Sequence, residues 1–221
     1  MNSRKIPLVL LSGWLLILSG CFLRQSIEEQ IYRELESILA VEEDFAKQQD
    51  PLLQLEEKDH ELYSEIVATG LNNSKKIAEL AEKGIEIAEK RQELLDIERE
   101  SIIASAEEFE KTTRLFSKIK DEELKKLVEQ LYSVMSRRYR VHEQLYEEYS
   151  TGIQLDRNFY RLLQHEDISF TTLETRIQER NEVYRRVYSL NERFNELTAE
   201  YNLLKGKFYQ QAGISIPASS R

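Results

Sequence analysis

The stretch that decides the fold runs from Ser74 to Lys118 and reads SKKIAELAEKGIEIAEKRQELLDIERESIIASAEEFEKTTRLFSK. It contains no proline and a single glycine, Gly84. Ile77, Ala81, Gly84, Ala88, Leu95, Ile102, Phe109, Thr113 and Phe116 recur at three-four spacing, which places them on one face of a helix. Leu80, Ile87 and Leu94 add a neighbouring row. The apolar face is therefore wider than a two-stranded coiled-coil seam, as a bundle helix requires. Arg91 and Glu98 interrupt that seam. A helix of this length spans roughly 66 Å and is marginal alone, so its apolar face must pack on others.

The rest of the chain repeats the pattern. Ser26-Ile27-Glu28-Glu29 is a capping box, and Ile27, Ile31, Leu35, Ile38 and Phe45 continue from it. Asp50-Pro51 is expected to interrupt this helix, with Asp50 capping a second segment through Leu52, Leu55, Leu62, Tyr63 and Ile66. Gly70 suits a C-cap. Asp121 caps a helix carrying Leu124, Val128, Leu131, Met135, Leu145, Tyr149, Phe159 and Leu163. Thr171-Thr172-Leu173-Glu174 reads as another capping box, for a helix through Ile177, Tyr184, Val187, Phe194, Tyr201, Leu204 and Phe208. Short links such as Lys120-Asp121 make successive helices antiparallel neighbours. The expectation is an all-α fold: an elongated up-and-down bundle of three to four long antiparallel helices. Composition agrees, because 7 glycines and 3 prolines in 221 residues cannot supply the frequent turns of a sheet-rich fold. One cysteine excludes a disulfide scaffold. A net charge of -9 excludes an all-over electrostatic grip on nucleic acid.

The N-terminus differs in kind. Arg4 and Lys5 precede a mostly apolar run from Ile6 to Leu18, which ends in Leu18-Ser19-Gly20-Cys21. A basic head, a short apolar core and small residues at the end describe an export signal. The run falls short of the roughly 20 residues that span a bilayer. Its last four residues match the bacterial lipobox. In that match Leu18, Ser19 and Gly20 are read by the signal peptidase, and Cys21 takes a diacylglyceryl group on sulfur and becomes the first mature residue. An N-acyl chain there is an option. Two acyl chains give stable anchoring where one does not. The competing readings are a lone buried cysteine and an uncleaved signal anchor. Cleavage would remove Arg4 and Lys5 and no acids, taking the net charge from -9 to -11. So acidic a surface is not drawn to an anionic bilayer, and the lipid must hold the chain there. The domain reading is a signal peptide over 1–20, a lipid-anchored tether over 21–25, a bundle over 26–212 and a loose tail over 213–221.

Candidates for chemistry are sparse. Glu57-Lys58-Asp59-His60 fits the Glu-x-x-His motif of di-iron bundles once, whereas Tyr139 and Leu162 stand three before His142 and His165. His142-Glu143 lacks the second histidine of a zinc-protease helix. No phosphate loop or nucleophile elbow occurs. The expectation is a protein with no catalytic residues, no metal and no cofactor beyond the lipid on Cys21, and a metal-binding bundle enzyme is the contrasting class. Arg137, Arg138 and Arg140, with Arg185 and Arg186, could hold anionic wall polymer if the last two helices bring them to one height. The alternative is a solvated face paired with Glu143, Glu147 and Glu182. Tyr132, Tyr139, Tyr146, Ile153 and Tyr160 recur every seven residues. These rings either stack on sugars or, as heptad spacing favours, pack inside the bundle with hydroxyls at its rim.

The lipobox, about 200 mature residues, the scarcity of Gly and Pro, and the long charged helices together resemble the YkyA-type cell-wall-binding lipoproteins of Gram-positive bacteria. The resemblance implies a helical bundle on the outer face of the cytoplasmic membrane, associated with the wall. It carries over one functional position, Cys21. The partners it implies are the membrane, through the lipid, and a wall polymer (peptidoglycan or an anionic polymer). The rival reading is a coiled-coil-type scaffold for another envelope protein. No nucleic acid is expected.

Overall fold

The computed structural model describes residues 26–70, 73–165 and 169–214. The segment Leu18 to Cys21, the tether and the tail from 215 lie outside them. Five helices follow one another: α1 (Ile27–Val41), α2 (Glu43–Thr69), α3 (Ser74–Phe116), α4 (Glu122–Leu163) and α5 (Phe170–Gln211). No strand occurs among the described residues. α1 and α2 together form one broken column, so the molecule is a four-column, up-and-down bundle. α1 and α2 pack along α3, α3 along α4, and α4 along α5.

The ends follow the sequence. Ser26 and Glu29 close the capping box on α1, and the Asp121 carboxylate accepts from the Glu123 and Leu124 amides at the start of α4. Gly70, at φ +66°, ends α2 with its N–H on the Ile66 carbonyl. Two expectations fail. The cap of α5 is Ser169, whose hydroxyl accepts from the Thr172 N–H, and Thr171 lies inside the helix. The break in the first column falls at Glu42, and α2 runs straight through Pro51. Pro51 forfeits one backbone hydrogen bond. Burial of Leu52, Leu62 and Ile66 along one face of α2 outweighs that loss. At Glu42 the backbone groups released by the break have a side-chain partner. Ser101 Oγ donates to the Val41 carbonyl and accepts from the Phe45 N–H.

Apolar packing fills the bundle in three segments. Ile31, Leu35, Phe109, Leu131 and Phe208 pack at the end where the chain enters. Leu52, Ala88, Leu95, Tyr149 and Ile153 form the middle. Leu62, Ile66, Leu80, Phe159 and Leu163 form the far end. Gly84 allows one close contact, because a Cβ there would stand 2.6 Å from the Tyr160 ring. The ring thus lies on the α3 backbone. Closure of the fourth side is uneven. At the entry end the Tyr32 and Tyr209 rings meet at 4.8 Å and Lys205 pairs with Glu36 at 3.1 Å. Farther along, a cleft opens between α2 and α5.

Candidate functional site

The site grows from polar residues placed where the heptad calls for apolar ones. On α3, Gly84, Arg91, Glu98, Ser105 and Thr112 follow at seven-residue steps. Arg91, Glu98, Ser105 and Thr112 are all buried. On α4 the row Met135, His142, Tyr149, Asp156 does the same. Since α3 and α4 are antiparallel, Arg91 meets Tyr149 and Asp156, while Glu98 meets His142.

Two buried polar layers result. In the first, Arg138 forms a two-pronged pair with Glu42, with Nη1 to Oε1 and Nη2 to Oε2 both at 2.8 Å. Its Nε donates to Thr198 Oγ1 at 2.9 Å, and Ser105 Oγ donates to Glu42 Oε1 at 2.6 Å. Every guanidinium nitrogen and both carboxylate oxygens are engaged. The Phe194 ring covers Arg138 at 4.4 Å, and 3% of that arginine is exposed.

The second layer gathers all four columns. Arg91 Nη1 reaches Asp156 Oδ2 at 2.9 Å and Asp59 Oδ2 at 3.9 Å. Arg180 Nε donates to Asp156 Oδ1 at 2.5 Å. The Tyr160 hydroxyl donates to Asp59 Oδ1 at 2.7 Å. The Tyr149 and Tyr184 hydroxyls accept from Arg91 Nη2 and donate to Glu56 and Asp156. Burial, and then the neighbouring Asp156 carboxylate, push the Asp59 carboxyl above its ordinary value. Burial opposes the Arg91 charge, but the surrounding phenol oxygens and Asp156 outweigh it and hold Arg91 well above its usual range. The Tyr149, Tyr160 and Tyr184 phenols are pushed far up by burial and remain protonated donors.

This layer borders the cleft, about 790 Å³ in volume, which opens between α2 and α5. Arg91, Glu98 and His142 lie along its lining, with Tyr146, Tyr149 and Tyr188. Glu98 is 4% exposed and His142 2% exposed. Glu98 Oε1 stands 3.5 Å from His142 Nε2, and Oε2 has no partner. Arg91 Nε is also unpartnered. The His142 ring packs on Phe45 and Phe194, at 5.8 and 5.4 Å, and those two rings meet each other at 5.6 Å.

The residues singled out from the sequence scatter. Arg138 is not a surface cation but the buried partner of Glu42. Arg137 is 3.4 Å from Glu200, Arg186 2.9 Å from Glu148, and Arg185 donates to the Asn181 carbonyl. Arg140 is exposed. The close pairs are with other acids than Glu143, Glu147 and Glu182, though the Glu182 charge also acts on Arg186, and Glu143 takes Arg99. Nor do the two clusters share a height. Arg137 sits opposite Glu200 whereas Arg186 sits opposite Glu148, some 16 Å farther along α4. His60 and His165 are exposed, and His60 shares the lining of the cleft with the buried His142. Among the described residues no group of three His, Cys, Asp or Glu side chains gathers as a metal site would. The tyrosine row divides. Tyr160 is fully buried, Tyr139 and Tyr146 are half-buried with hydroxyls on Ser105 and Asp96, and Tyr132 is exposed. The buried Arg91–Asp156–Asp59–Arg180 network was missed. Its signal was present in Arg91 and Glu98, the two charges that interrupt the α3 seam.

The match to known proteins spans this whole arrangement. Residues 26–211 fit the model of the YkyA family, described as "putative cell-wall binding lipoprotein". The chain belongs to the YkyA family. Among YkyA-family proteins, the uncharacterized lipoprotein YkyA of Bacillus subtilis (strain 168) is 29% identical over 204 residues, covering 92% of this chain and 91% of that one. A crystal structure of a conserved Staphylococcus aureus protein of unknown function shares the fold, with a TM-score of 0.67 at 15% identity. It covers 82% of this chain and 91% of that chain. Among the described residues no helix is long and apolar enough to cross a membrane.

Proposed function

We propose that this protein is a lipid-anchored, extracytoplasmic member of the YkyA family that associates with the cell wall and acts by position and binding, without catalysis. Cys21 carries the lipid after cleavage behind Gly20, and the bundle extends from it. The observation that carries the reading is the family match across the entire bundle. Three features support it. The α3 helix of 43 residues gives the bundle a length of roughly 65 Å, a span suited to holding a surface away from a membrane. The chain enters that rod at one end, at Ser26, five residues after Cys21. The cleft lies near mid-length, lined by tyrosines, amides and carboxylates, side chains that suit a polar polymer. The cleft carboxylates Glu56 and Asp59 are occupied by Tyr149 and Tyr160, which favours a binding role over acid-base chemistry.

Two measurements test the reading. The Cys21→Ala variant should leave the membrane fraction for the medium or the soluble fraction; full retention of the variant in membranes would remove the anchor. Purified sacculi should retain the wild-type chain and release it as salt rises. Failure to co-sediment at low salt would end the wall assignment.

A further inference from the structure

We propose that the cleft between α2 and α5 takes a primary ammonium group, seated on the free oxygen of Glu98. This deepens the reading above and rests on it for the ligand's source: amino groups of the wall polymer, carried either on a deacetylated sugar or on a peptide side chain.

Glu98 sits two turns below Arg91 on α3 and is almost wholly buried. Its Oε1 has a long contact with His142, and its Oε2 has none. A buried carboxylate oxygen without a donor is costly, and native structures rarely keep one without a use. The Phe45 and Phe194 rings pack on His142 and on each other, so the histidine is part of an aromatic cluster. The cleft, whose lining includes Glu98, is where a ligand can bring that donor.

The chemistry of the lining selects the donor. Asp50, Glu56, Asp59 and Glu98 line the cleft against two guanidiniums, Arg91 and Arg180, so its field is negative. Arg91 and Arg180 are themselves consumed by Asp156 and Asp59. The exposed Tyr188 ring can attract a cation, whereas the Tyr146 and Tyr149 rings already carry Arg99 at 4.6 Å and Arg91 at 5.2 Å. One free carboxylate oxygen is too few for a divalent metal, which asks for four or more ligands. It is sufficient for one N–H of an ammonium, whose remaining charge Tyr188 and solvent can share. Arg91 supplies a second anchor. Arg91 stands about 10 Å along the helix axis from Glu98, and its unpartnered Nε–H would donate to a carbonyl or hydroxyl of the same ligand.

The test uses the full chain in detergent and two matched pairs of probes, read by calorimetry. One pair is a glucosamine tetramer and its N-acetylated form. The other is a short lysine peptide and its Nζ-acetylated form. At least one free amine should bind about tenfold or more tighter than its acetylated twin, and the pair that shows the difference identifies the source. Glu98→Gln, checked for a thermal midpoint no lower than that of the wild type, should abolish the difference. Tyr188→Ala, on the exposed rim, should weaken the amine several-fold and cannot be dismissed as unfolding. Equal affinity for amine and acetylated probes, no binding of any probe at millimolar concentration, or a preference that survives Glu98→Gln would overturn the proposal. So would unaltered affinity in Tyr188→Ala if Glu98→Gln does not fold. Sacculus retention by the wild type without amine preference defeats this inference and leaves wall association standing. Amine preference without sacculus retention does the reverse.

Discussion

Two buried polar layers cross the same bundle, and they are built to opposite standards. The Glu42–Arg138 layer is closed: guanidinium and carboxylate are matched atom for atom, and Ser105 and Thr198 absorb the remaining bonding capacity. The layer around Arg91 is larger and left open. It satisfies Asp156 three times over, yet it leaves Arg91 Nε and Glu98 Oε2 without partners beside a cleft. Both layers sit where leucines would do, so neither is explained by hydrophobic stabilisation. The closed one pins the break between α1 and α2. It ties Glu42, at the break, to Arg138 on α4 and thereby sets how the first column lies across the bundle. The open one retains unmet bonding capacity in two residues that line the cleft. Buried charge that is complete fixes geometry; buried charge that is incomplete leaves room for a ligand.

That contrast is easiest to break at Arg138. Replacing it with Met strands the largely buried Glu42 carboxylate without its cation, and the unfolding free energy in urea should fall by about 3 kcal/mol. The double variant Glu42→Met/Arg138→Met should recover most of the loss, because no lone charge remains. If the double variant is as unstable as the single, the pair does more than match itself and the closed layer has been misread. Gly84→Ala should come next, at about 1–3 kcal/mol, since the new methyl meets the Tyr160 ring at 2.6 Å with α3 backbone behind it. The Tyr160 hydroxyl would then leave Asp59, so the damage should show in the open layer.

The sequence made the columns legible because their information is local. Three-four spacing in Ser74 to Lys118 and caps at Ser26, Asp121 and Gly70 each depend on a few adjacent residues. What it hid was non-local. Pro51 is a strong local signal for a break, yet the break sits at Glu42, where Arg138 lies ninety-six residues away in the chain. Arg137, Arg138 and Arg140 looked like one basic patch because they are neighbours in sequence. On a helix, successive residues point about 100° apart, and these three meet Glu200, Glu42 and solvent respectively. The open layer was visible in part. Arg91 and Glu98 stand in the α3 seam, and His142 and Asp156 stand in the matching row of α4. Pairing the rows requires the antiparallel register, which the short α3–α4 link already implies. Two charged interruptions at matched heights on adjacent helices are the pattern that could have located the site.

The comparison sharpens at Glu98, where the expected effect is smaller and opposite in sign. Glu98→Gln keeps the side chain's shape and replaces an oxygen that has no partner in the core. Unfolding free energy should hold or rise by up to about 1 kcal/mol, the behaviour of a site that trades stability for binding. A loss of 2 kcal/mol or more, on the order of a broken buried pair, would mean that the His142 contact is structural and that the open layer is closed after all.

The subtlest difference is in pH. The Asp59 carboxyl is held above its ordinary value of 3.8 by burial and by Asp156. A carboxyl raised in the folded state lowers stability once it ionises. The penalty is therefore absent below the ordinary value and grows as pH rises through the folded one. Asp59→Asn has no such proton to lose. Across urea titrations from pH 7 down to pH 4, the wild type should gain stability relative to Asp59→Asn. A wild-type curve that instead falls relative to the variant would place the Asp59 carboxylate in a net stabilising pair with Arg91 and Arg180. The open layer would then be as well matched electrostatically as the closed one, and the distinction between them would rest on Glu98 alone.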